Sequence, residues 1–214
     1  MLTAPLTITG CILARNEARR IEAAIQSLLR WTEQVIVLDN ESEDGTADIA
    51  RRYTEHVRTV PLSDGPSFDG LRNRAIDLAT GDWIFYLDAD ERVPERLGQA
   101  LRQLLQERGG EFEALIIPFR HYFCGAWVRH SFGWPGYTRP QLLKKGCFRY
   151  GERLHSGVEV QGMKRKHGTA ILQGFRHYIQ NACTKVDGAG SKNANLRGNV
   201  GVGSVPPRSW KGLT

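Results

Sequence analysis

Two aspartates, Asp88 and Asp90, stand directly after the apolar run Trp83–Leu87, which has the length of one buried strand. Side chains alternate along a strand, so the two carboxylates are predicted to point the same way, with only the methyl group of Ala89 between them. Neighbouring carboxylates repel each other and are costly to desolvate unless a cation or a proton accompanies them. Because Mg²⁺ favours one or two carboxylates together with phosphate and water, the pair predicts a divalent-metal site for a phosphate-bearing ligand.

The competing interpretation is that this Asp-x-Asp triplet is only the acidic edge of a turn, since short motifs also arise by chance. Its position favours function. The triplet follows an apolar strand and precedes a helix start at Pro94-Glu95. In open α/β sheets, ligands bind at the carboxyl ends of the strands, and this is where the triplet falls.

The rest of the first half repeats an order of strand and helix. Apolar runs over residues 6–13, 35–38 and 83–87 predict strands, with further strands near 56–60 and 114–119. Helices are predicted over residues 46–53 and 70–80, the latter with Gly81 as the first residue past its end. Two more helices carry apolar residues at i, i+3, i+4, i+7 and i+8, namely Ile21, Ala24, Ile25, Leu28 and Leu29, then Leu97, Ala100, Leu101, Leu104 and Leu105.

This alternation predicts an α/β fold with a doubly wound, mostly parallel sheet. Glu17, Asp39 and the Asp88/Asp90 pair each fall at the carboxyl end of a predicted strand. The carboxyl ends of parallel strands meet at one edge of a sheet, so we expect these acidic residues to share that edge. For Asp39 alone, capping of the following turn is an alternative role.

The length and composition of the chain limit the kinds of protein that it can be. With 214 residues and 41% hydrophobic content, one α/β domain that buries ~70% of its unfolded surface is expected. No apolar run approaches the ~20 residues of a membrane span, and the N-terminus has no signal-peptide pattern, so a cytoplasmic protein is expected. The four cysteines lack C-x-x-C spacing, which favours free thiols over zinc or disulfides.

Charge is divided unevenly along the chain. Residues 1–117 carry a net charge of −7 and residues 118–214 a net charge of +13. The acidic half suits a metal site, and the basic half, with Lys144-Lys145, Arg149, Arg153 and Lys164-Arg165-Lys166, suits an anionic acceptor or membrane face. A solvated basic face is the alternative. A nucleic-acid partner is not expected, because the acidic sheet edge would repel phosphates.

Four motifs together resemble glycosyltransferase family 2 and its A-type nucleotide-sugar fold. They are ILARNE (12–17), VIVLDNESEDGT (35–46), LRNRAIDLATGDW (71–83) and FYLDADERV (85–93). Their order and spacing agree with that family over about residues 6–180. The second half, with RHS (129–131), WP (134–135), LLKKG (142–146) and LHSGVEV (154–160), is most similar to the subgroup that extends lipopolysaccharide cores.

The resemblance implies a domain organisation. Residues 1–182 would form the catalytic domain, with a nucleotide-sugar-binding half (1–117) and an acceptor half (118–182) rich in loops and aromatic residues. For those aromatic rings, packing in a small subdomain is as good an explanation as stacking on sugars. Residues 183–214 hold five basic residues, one acidic residue and no periodic apolar stripe, which predicts an irregular or disordered tail where the family has helices.

The resemblance also implies a donor pocket for a UDP- or GDP-sugar. Asp39 would accept a hydrogen bond from the nucleobase, and Ala14, Arg15 and Glu17 would line the base and ribose. Arg72 would approach the ribose or diphosphate, although an arginine on a helix often lies only on a solvated face.

For the metal, the resemblance implies that Asp90 binds the Mg²⁺ or Mn²⁺ that bridges the diphosphate, while Asp88 contacts the ribose and helps to hold the cation. His177 is a further candidate metal or diphosphate contact. For a single histidine, packing in the fold is the competing role.

The general base is the weakest part of the pattern. The subgroup has His-Glu where this chain has His155-Ser156, and Glu152 and Glu159 are the acidic residues between positions 114 and 186. A base from this half would therefore be one of these two, with Glu159 slightly preferred. His155 would orient the base.

Taken together, the sequence predicts a metal-dependent, inverting glycosyltransferase. Its acceptor would be a glycan or a lipid-linked saccharide, in lipopolysaccharide core or cell-envelope polysaccharide synthesis, reached from the inner face of the cytoplasmic membrane. One alternative is a nucleotide-sugar-binding protein with weakened or lost transfer, suggested by Ser156. Another is a nucleotidyltransferase, but the Gly-rich phosphate loop that this class needs after the first strand is missing from ILARNEARR.

Overall fold

A computed structural model describes residues 5–61, 68–117, 119–123, 126–127 and 140–150, together with three later strands at 158–159, 169–171 and 179–183. The helices in these residues are α1 (Ile21–Leu29), α2 (Thr46–Arg51), α3 (Phe68–Leu78) and α4 (Glu95–Arg108), the last followed by a 3-10 turn at Gly109–Glu111. The strands are β1 (Ile8–Ala14), β2 (Gln34–Asp39), β3 (Val57–Thr59), β4 (Trp83–Asp88), β5 (Glu91–Arg92), β6 (Ala114–Ile116), β7 (Phe119–Phe123), β8 (Ala126–Trp127), β9 (Pro140–Lys144), β10 (Arg149–Tyr150), β11 (Val158–Glu159), β12 (Thr169–Ile171) and β13 (Ile179–Cys183).

The main sheet is mostly parallel, as predicted. Its order within the described residues is β12-β6-β9-β4-β1-β2-β3. β1 pairs in parallel with β2 and β4, and β2 in parallel with β3. β9 is antiparallel to both of its neighbours, β4 and β6. The apolar runs explain the central strands, because a parallel strand covered by helices on both faces needs apolar side chains in both directions.

Helices cover both faces of this sheet, which confirms the doubly wound arrangement. α1, α2 and α4 contribute to one core and α3 to the other. Side chains of β4 alternate between them, with Trp83, Phe85 and Leu87 in the first core and Ile84 and Tyr86 in the second. Each large apolar side chain buried in this way stabilises the fold by about 1.5–3 kcal/mol.

A second sheet begins where β4 ends. Its order among the described residues is β5-β13-β7-β8, with β13 antiparallel to β5 and parallel to β7. β10 and β11 pair separately as a short antiparallel ladder. The two residues of β5 therefore join the Asp-x-Asp segment to strands from the second half of the chain.

The predicted end of α3 is wrong. The helix ends at Leu78, so Gly81 is not the residue that follows its last turn. Gly81 is required for a different reason: a Cβ at this position would lie 2.8 Å from the main-chain nitrogen of Thr9. Its N–H donates to Thr9 Oγ1 at 2.9 Å, which draws the chain against β1 just before β4 begins.

Several predictions made from the sequence concern residues outside the part of the chain that the structure describes. Of residues 183–214, predicted to be irregular, Cys183 is the last residue of β13 and residues 184–214 lie outside the described part of the chain, while the division at residues 117 and 182 stays a prediction. Among the described helices, none is long and apolar enough to cross a membrane.

Cys11 and Cys147 are free thiols, as predicted, and burial raises the pKa of Cys11.

Gly98 in α4 allows a close approach between helix and core. A Cβ at this position would lie 2.4 Å from Cγ of Trp31. The Trp31 ring packs edge-to-face on Phe85 with centroids 5.0 Å apart, and its Nε1–H donates to the carbonyl of Ser27 at 3.1 Å. The indole is therefore held from two sides and cannot easily move.

We predict that Gly98→Ala destabilises the protein, although alanine is the better helix former by about 1 kcal/mol. Overpacking of this kind typically costs about 1–3 kcal/mol, which outweighs the gain in propensity. The free energy of unfolding in urea measures the difference. Gly110→Ala is the matched control, because a Cβ at that position would have no atom within 4 Å among the described residues beyond its two chain neighbours. A Gly98→Ala protein as stable as this control would show that α4 can shift at no cost.

Candidate active site

The loops that follow β1 and β2 are joined by side-chain to main-chain hydrogen bonds. The N–H of Asn16 donates to Ser42 Oγ at 2.9 Å, and Asn16 Oδ1 accepts the N–H of Glu43 at 2.9 Å. Asn16 and Glu41 both have a positive φ, of 55° and 49°. Asparagine tolerates this conformation, but for glutamate it is uncommon and is retained only where the surrounding contacts determine it.

A second pair of bonds joins the same loops closer to the helices. The N–H of Glu17 donates to Thr46 Oγ1 at 2.8 Å, and the N–H of Ala18 donates to Asp44 Oδ2 at 2.9 Å. Asp44 Oδ1 accepts the N–H of Thr46 at 3.0 Å. The two loops therefore form one connected unit at the carboxyl end of the sheet.

Asp39 is the last residue of β2 and is 1% exposed. Its Oδ2 accepts the N–H of Ser42 at 3.1 Å, so the turn-capping role considered from the sequence is real. Its Oδ1 is buried and has no hydrogen-bond partner among the described residues. A buried carboxylate oxygen left in this state is costly, so Asp39 Oδ1 could accept a hydrogen bond from a further donor.

Asn40 was not predicted as a site residue. It is 8% exposed, and its Oδ1 is also buried without a hydrogen-bond partner in the described part of the chain. Its N–H donates to the carbonyl of Ala14 at 2.9 Å, which ties the ends of β1 and β2 together. The residue type gave no signal, because asparagine after a strand is equally typical of a turn.

The predicted pocket residues from the first strand lie beside Asp39. Ala14 is buried and pairs with Asp39 in the parallel ladder, and Arg15 is exposed directly after it. Glu17 accepts a hydrogen bond from Arg20 Nη1 at 3.0 Å. Burial raises the pKa of Glu17, and the negative charges of Asp90 and Asp44 add to this against the lowering effect of Arg20.

The Asp-x-Asp segment differs from its predicted geometry. β4 ends at Asp88, Ala89 and Asp90 form a turn, and β5 starts at Glu91, so the two aspartates do not share a strand face. The turn still brings them together, with Glu91 as a third member: one carboxylate oxygen from each lies within 4.8 Å of the others. Glu91 is 4% exposed, and its Oε2 accepts the N–H of Asp88 at 3.0 Å.

This cluster has the chemistry of a site for Mg²⁺ or Mn²⁺. Hard divalent cations prefer carboxylate oxygen ligands, and three carboxylates within reach of one ion fit that preference. Glu91 was not predicted from the sequence, because its proximity to the two aspartates depends on the turn formed by Ala89 and Asp90.

Arg72 stacks instead of facing solvent. Its guanidinium carbon lies 5.4 Å from the ring centroid of Tyr150, and its carbonyl accepts the hydroxyl of Tyr86 at 3.0 Å. The neighbouring Asn73 holds the main chain of Tyr150 on both sides, with Nδ2 donating to the carbonyl at 2.8 Å and Oδ1 accepting the N–H at 2.9 Å. The middle of α3 is thereby fixed against β10.

The remaining candidates are not placed by the described structure. Glu152, His155 and His177 lie outside the described residues. Glu159 belongs to β11, where its Cα pairs with that of Arg149, but its side chain is outside the description. The choice of general base therefore stays a prediction.

Comparison with known proteins assigns the fold to a family. The model for "Glycosyl transferase family 2" matches residues 10–155. The chain belongs to this family. The match spans the ends of β1, β2 and β4, where Asp39 and the carboxylate cluster lie, and so confirms the resemblance drawn from the motifs.

Individual relatives agree with the family. The lipopolysaccharide core biosynthesis glycosyltransferase LpsC of Rhizobium meliloti is 27% identical over 189 residues, which cover 81% of this chain and 65% of LpsC. The uncharacterized glycosyltransferase RP128 of Rickettsia prowazekii is 36% identical over 90 residues, 42% of this chain and 30% of that protein. The crystal structure of S. aureus TarS 1-349 in complex with UDP-GlcNAc matches with a TM-score of 0.61 at 17% identity, over 89% of this chain and 62% of that chain. The chain thus spans less than two-thirds of each of these relatives, and the TarS match confirms the fold.

Asp44 makes the junction between the two loops sensitive to acid. Burial acts to raise the pKa of Asp44, but hydrogen bonds from Thr46 and Ala18 outweigh it and hold the pKa below its ordinary value. A lowered folded-state pKa means that the carboxylate stabilises the fold above its unfolded pKa of about 3.9. That contribution is lost as the pH falls through the folded-state pKa.

We therefore predict that Asp44→Asn is less stable than wild type at pH 7 and that the difference shrinks as the pH falls below about 3.9. Urea unfolding midpoints at pH 7, 5 and 3 provide the measurement. Asp48→Asn, which changes an exposed carboxylate on α2, is the control. A difference between wild type and Asp44→Asn that stays constant across this range would contradict the assignment.

Proposed function

We propose that this protein is a cation-dependent, inverting glycosyltransferase that uses a nucleotide-sugar donor. The observation that carries the proposal is the cluster of Asp88, Asp90 and Glu91 carboxylates at the end of β4 in a chain of glycosyl transferase family 2. This cluster lies on the same sheet edge as Asp39, because β4 and β2 flank β1 in parallel.

The donor nucleotide binds along the ends of β1 and β2. The donor is a UDP- or GDP-sugar, as in the family that the chain resembles, and Asp39 Oδ1 accepts an N–H from its base, a contact that uracil and guanine can each supply. Ala14, Arg15 and Glu17 line the base and ribose. The hydrogen bonds between the two loops support this role, because a pocket that is already ordered loses little conformational freedom when the ligand binds.

The diphosphate lies between the carboxylate cluster and α3. Asp90 and Asp88, supplemented by Glu91, hold a Mg²⁺ or Mn²⁺ ion, and Arg72 approaches the diphosphate while Tyr150 supports its guanidinium. When bound, such a cation stabilises the charge that develops on the leaving diphosphate. His177 is a further candidate contact to the cation or the diphosphate.

The transfer step needs a base in the second half of the chain. The acceptor hydroxyl attacks the anomeric carbon from the face opposite the diphosphate, its proton passes to a carboxylate, and the bond from the anomeric carbon to the phosphate oxygen breaks. Glu159 or Glu152 takes that proton, and His155 orients the carboxylate. A catalytically weakened protein that binds the donor without transfer is the second candidate, because Ser156 stands where the subgroup has glutamate.

Incubation with a panel of nucleotide sugars distinguishes these two functions. A donor that raises the melting temperature only with Mn²⁺ or Mg²⁺ identifies the ligand. Release of nucleoside diphosphate that requires an added glycan acceptor then supports transfer. Binding without any release on such acceptors would favour the weakened protein.

Asp39→Ala is expected to weaken nucleotide binding by about 1.5–3 kcal/mol, as for a hydrogen bond that involves a charged group, or roughly 10- to 150-fold in Kd. Isothermal titration with UDP and GDP in the presence of Mn²⁺ measures the change. Asp48→Ala, on the surface of α2, is the control and should bind as wild type. If Asp39→Ala also binds with wild-type affinity, the base contact has been assigned to the wrong residue.

Asp90→Asn is expected to abolish the dependence of nucleotide binding on a divalent cation. The amide keeps the size of the side chain but lacks the negative charge that a hard cation needs. Titrations with UDP or GDP in Mn²⁺ and in EDTA give the measurement. Wild type should bind more weakly in EDTA, while the variant should bind equally weakly in both. A variant that retains the full difference between Mn²⁺ and EDTA would remove Asp90 from the cation site.

The acceptor is a lipid-linked or phosphorylated glycan on the inner face of the cytoplasmic membrane. The similarity to LpsC, a protein named for lipopolysaccharide core biosynthesis, supports a cell-envelope acceptor. The net charge of +13 in residues 118–214 supports an anionic surface. Two basic residues of this half are held at the end of α3: Lys145 Nζ donates to the carbonyl of Ala79, just after the helix, and Arg149 pairs with Asp77 in its last turn at 2.7 Å. The cluster at residues 164–166 is therefore the better one to test.

We predict salt-sensitive binding to anionic vesicles that falls steeply when Lys164, Arg165 and Lys166 are all changed to Glu, because each basic residue contributes about 1 kcal/mol near such a surface. Co-sedimentation with phosphatidylglycerol-containing vesicles measures it. The triple variant Arg51, Arg52 and Arg96 to Glu, at exposed positions of the first half, makes the same change in net charge and should bind as wild type. Equal binding to neutral and anionic vesicles would indicate a soluble acceptor.

A further inference from the structure

The guanidinium of Arg92 is half-buried directly after the carboxylate cluster, and it donates to three main-chain carbonyls. Its Nη1 donates to the carbonyl of Ala89 at 2.9 Å and to that of Glu91 at 2.6 Å. Its Nη2 donates to the carbonyl of Arg20 at 2.7 Å, and Arg20 lies 72 positions earlier in the sequence. One side chain therefore joins the turn that carries the cluster to the residue that precedes α1.

The two carbonyls on Nη1 belong to the residues on either side of Asp90. The first carbonyl lies in the peptide group directly before Asp90 and the second in the peptide group between Glu91 and Arg92, so one nitrogen holds the main chain on both sides of this aspartate. A separate bond from the N–H of Val93 to Ser27 Oγ at 3.2 Å ties the end of the same segment to α1. Because α1 is packed into the core through Ile21, Ala24, Ile25 and Leu28, the turn is fastened to a rigid element.

Arg92 also places a positive charge beside the acidic groups. Burial lowers the pKa of Arg92, while the negative charges of Asp90 and Glu17 act in the opposite direction. Arginine remains protonated under these conditions, because its pKa starts above about 12. The charge therefore offsets part of the repulsion among carboxylates that would otherwise drive the turn apart before a cation arrives.

We propose that Arg92 is a positioning residue for the cation site: by holding the carbonyls of Ala89, Glu91 and Arg20, it keeps the three carboxylates within reach of one ion. The proposal rests on the proposed cation dependence and adds a residue that touches neither the cation nor the substrate. Lysine cannot replace it, because an ammonium group on a flexible stem lacks the planar fork that reaches two carbonyls on one side and a third on the other.

Two measurements on the same proteins test this role, using wild type, Arg92→Lys and Arg92→Met. The first is hydrogen–deuterium exchange after removal of metal by EDTA and gel filtration. Exchange in peptides that cover residues 88–93 should become faster in both variants, while peptides from β1 and β2 keep their wild-type rates. This readout reports the order of the turn in the absence of cation and does not depend on activity.

The second measurement is Mn²⁺ titration followed by the loss of the free-ion electron paramagnetic resonance signal, without nucleotide. Changes to residues that orient metal ligands typically weaken metal binding by about 10- to 100-fold, and both variants should show a rise in Kd of that order. Arg96→Met, four residues later and exposed on α4, is the control and should match wild type in both measurements. Arg92→Lys keeps the charge and so tests the geometry even if Arg92→Met folds poorly.

The outcomes separate this proposal from the proposed function. Wild-type exchange and wild-type Mn²⁺ affinity in Arg92→Lys would overturn the positioning role. If wild type binds no Mn²⁺ either alone or with UDP or GDP present, the proposed cation dependence fails, and faster exchange confined to residues 88–93 would still support the anchoring of the turn by Arg92. Faster exchange throughout the variant would overturn a local role, because it would indicate general destabilisation.

Discussion

Repulsion among the carboxylates at one edge of the main sheet is the constraint to which the surrounding structure responds. Parallel strands deliver Asp39 and Asp88 to this edge, and the turn adds Asp90 and Glu91. Carboxylates that lie close together are costly unless positive charge and N–H donors accompany them. The protein supplies main-chain N–H groups, as from Ser42 to Asp39 and from Asp88 to Glu91, and it places Arg92 beside the turn.

The same edge shows how this chain orders its loops without a glycine-rich segment. Short polar side chains, including those of Asn16, Asp44 and Thr46, accept hydrogen bonds from main-chain N–H groups of the facing loop. Glu41 holds a positive φ that glutamate rarely adopts, which indicates that these contacts determine the backbone. These two loops are therefore ordered by bonds within the protein, while Asp39 Oδ1 has no hydrogen-bond partner among the described residues.

Much of this arrangement could be predicted from the sequence, because it depends on local patterns. Continuous apolar runs identified β1, β2 and β4, and the stripes beginning at Ile21 and Leu97 identified α1 and α4. Asp39 and Asp88 could be predicted as candidate site residues, because each stands at the end of an apolar run. The contacts of Glu91 and Arg92 could not be predicted, because they depend on a turn in place of an expected strand and on the carbonyl of Arg20, 72 residues earlier in the chain.

β9 has a consequence for how the protein reaches its native state. The sheet places residues 140–144 between β4 and β6, so the partner of one edge of β4 is synthesised more than fifty residues after β4 itself. Until then a largely apolar strand has an unpaired edge, the situation in which chains pair with one another instead of with themselves. Pairing over such a distance along the chain is also slow. The order of synthesis therefore leaves a nascent chain prone to aggregation, and protection by chaperones is most valuable between the emergence of β4 and that of β9.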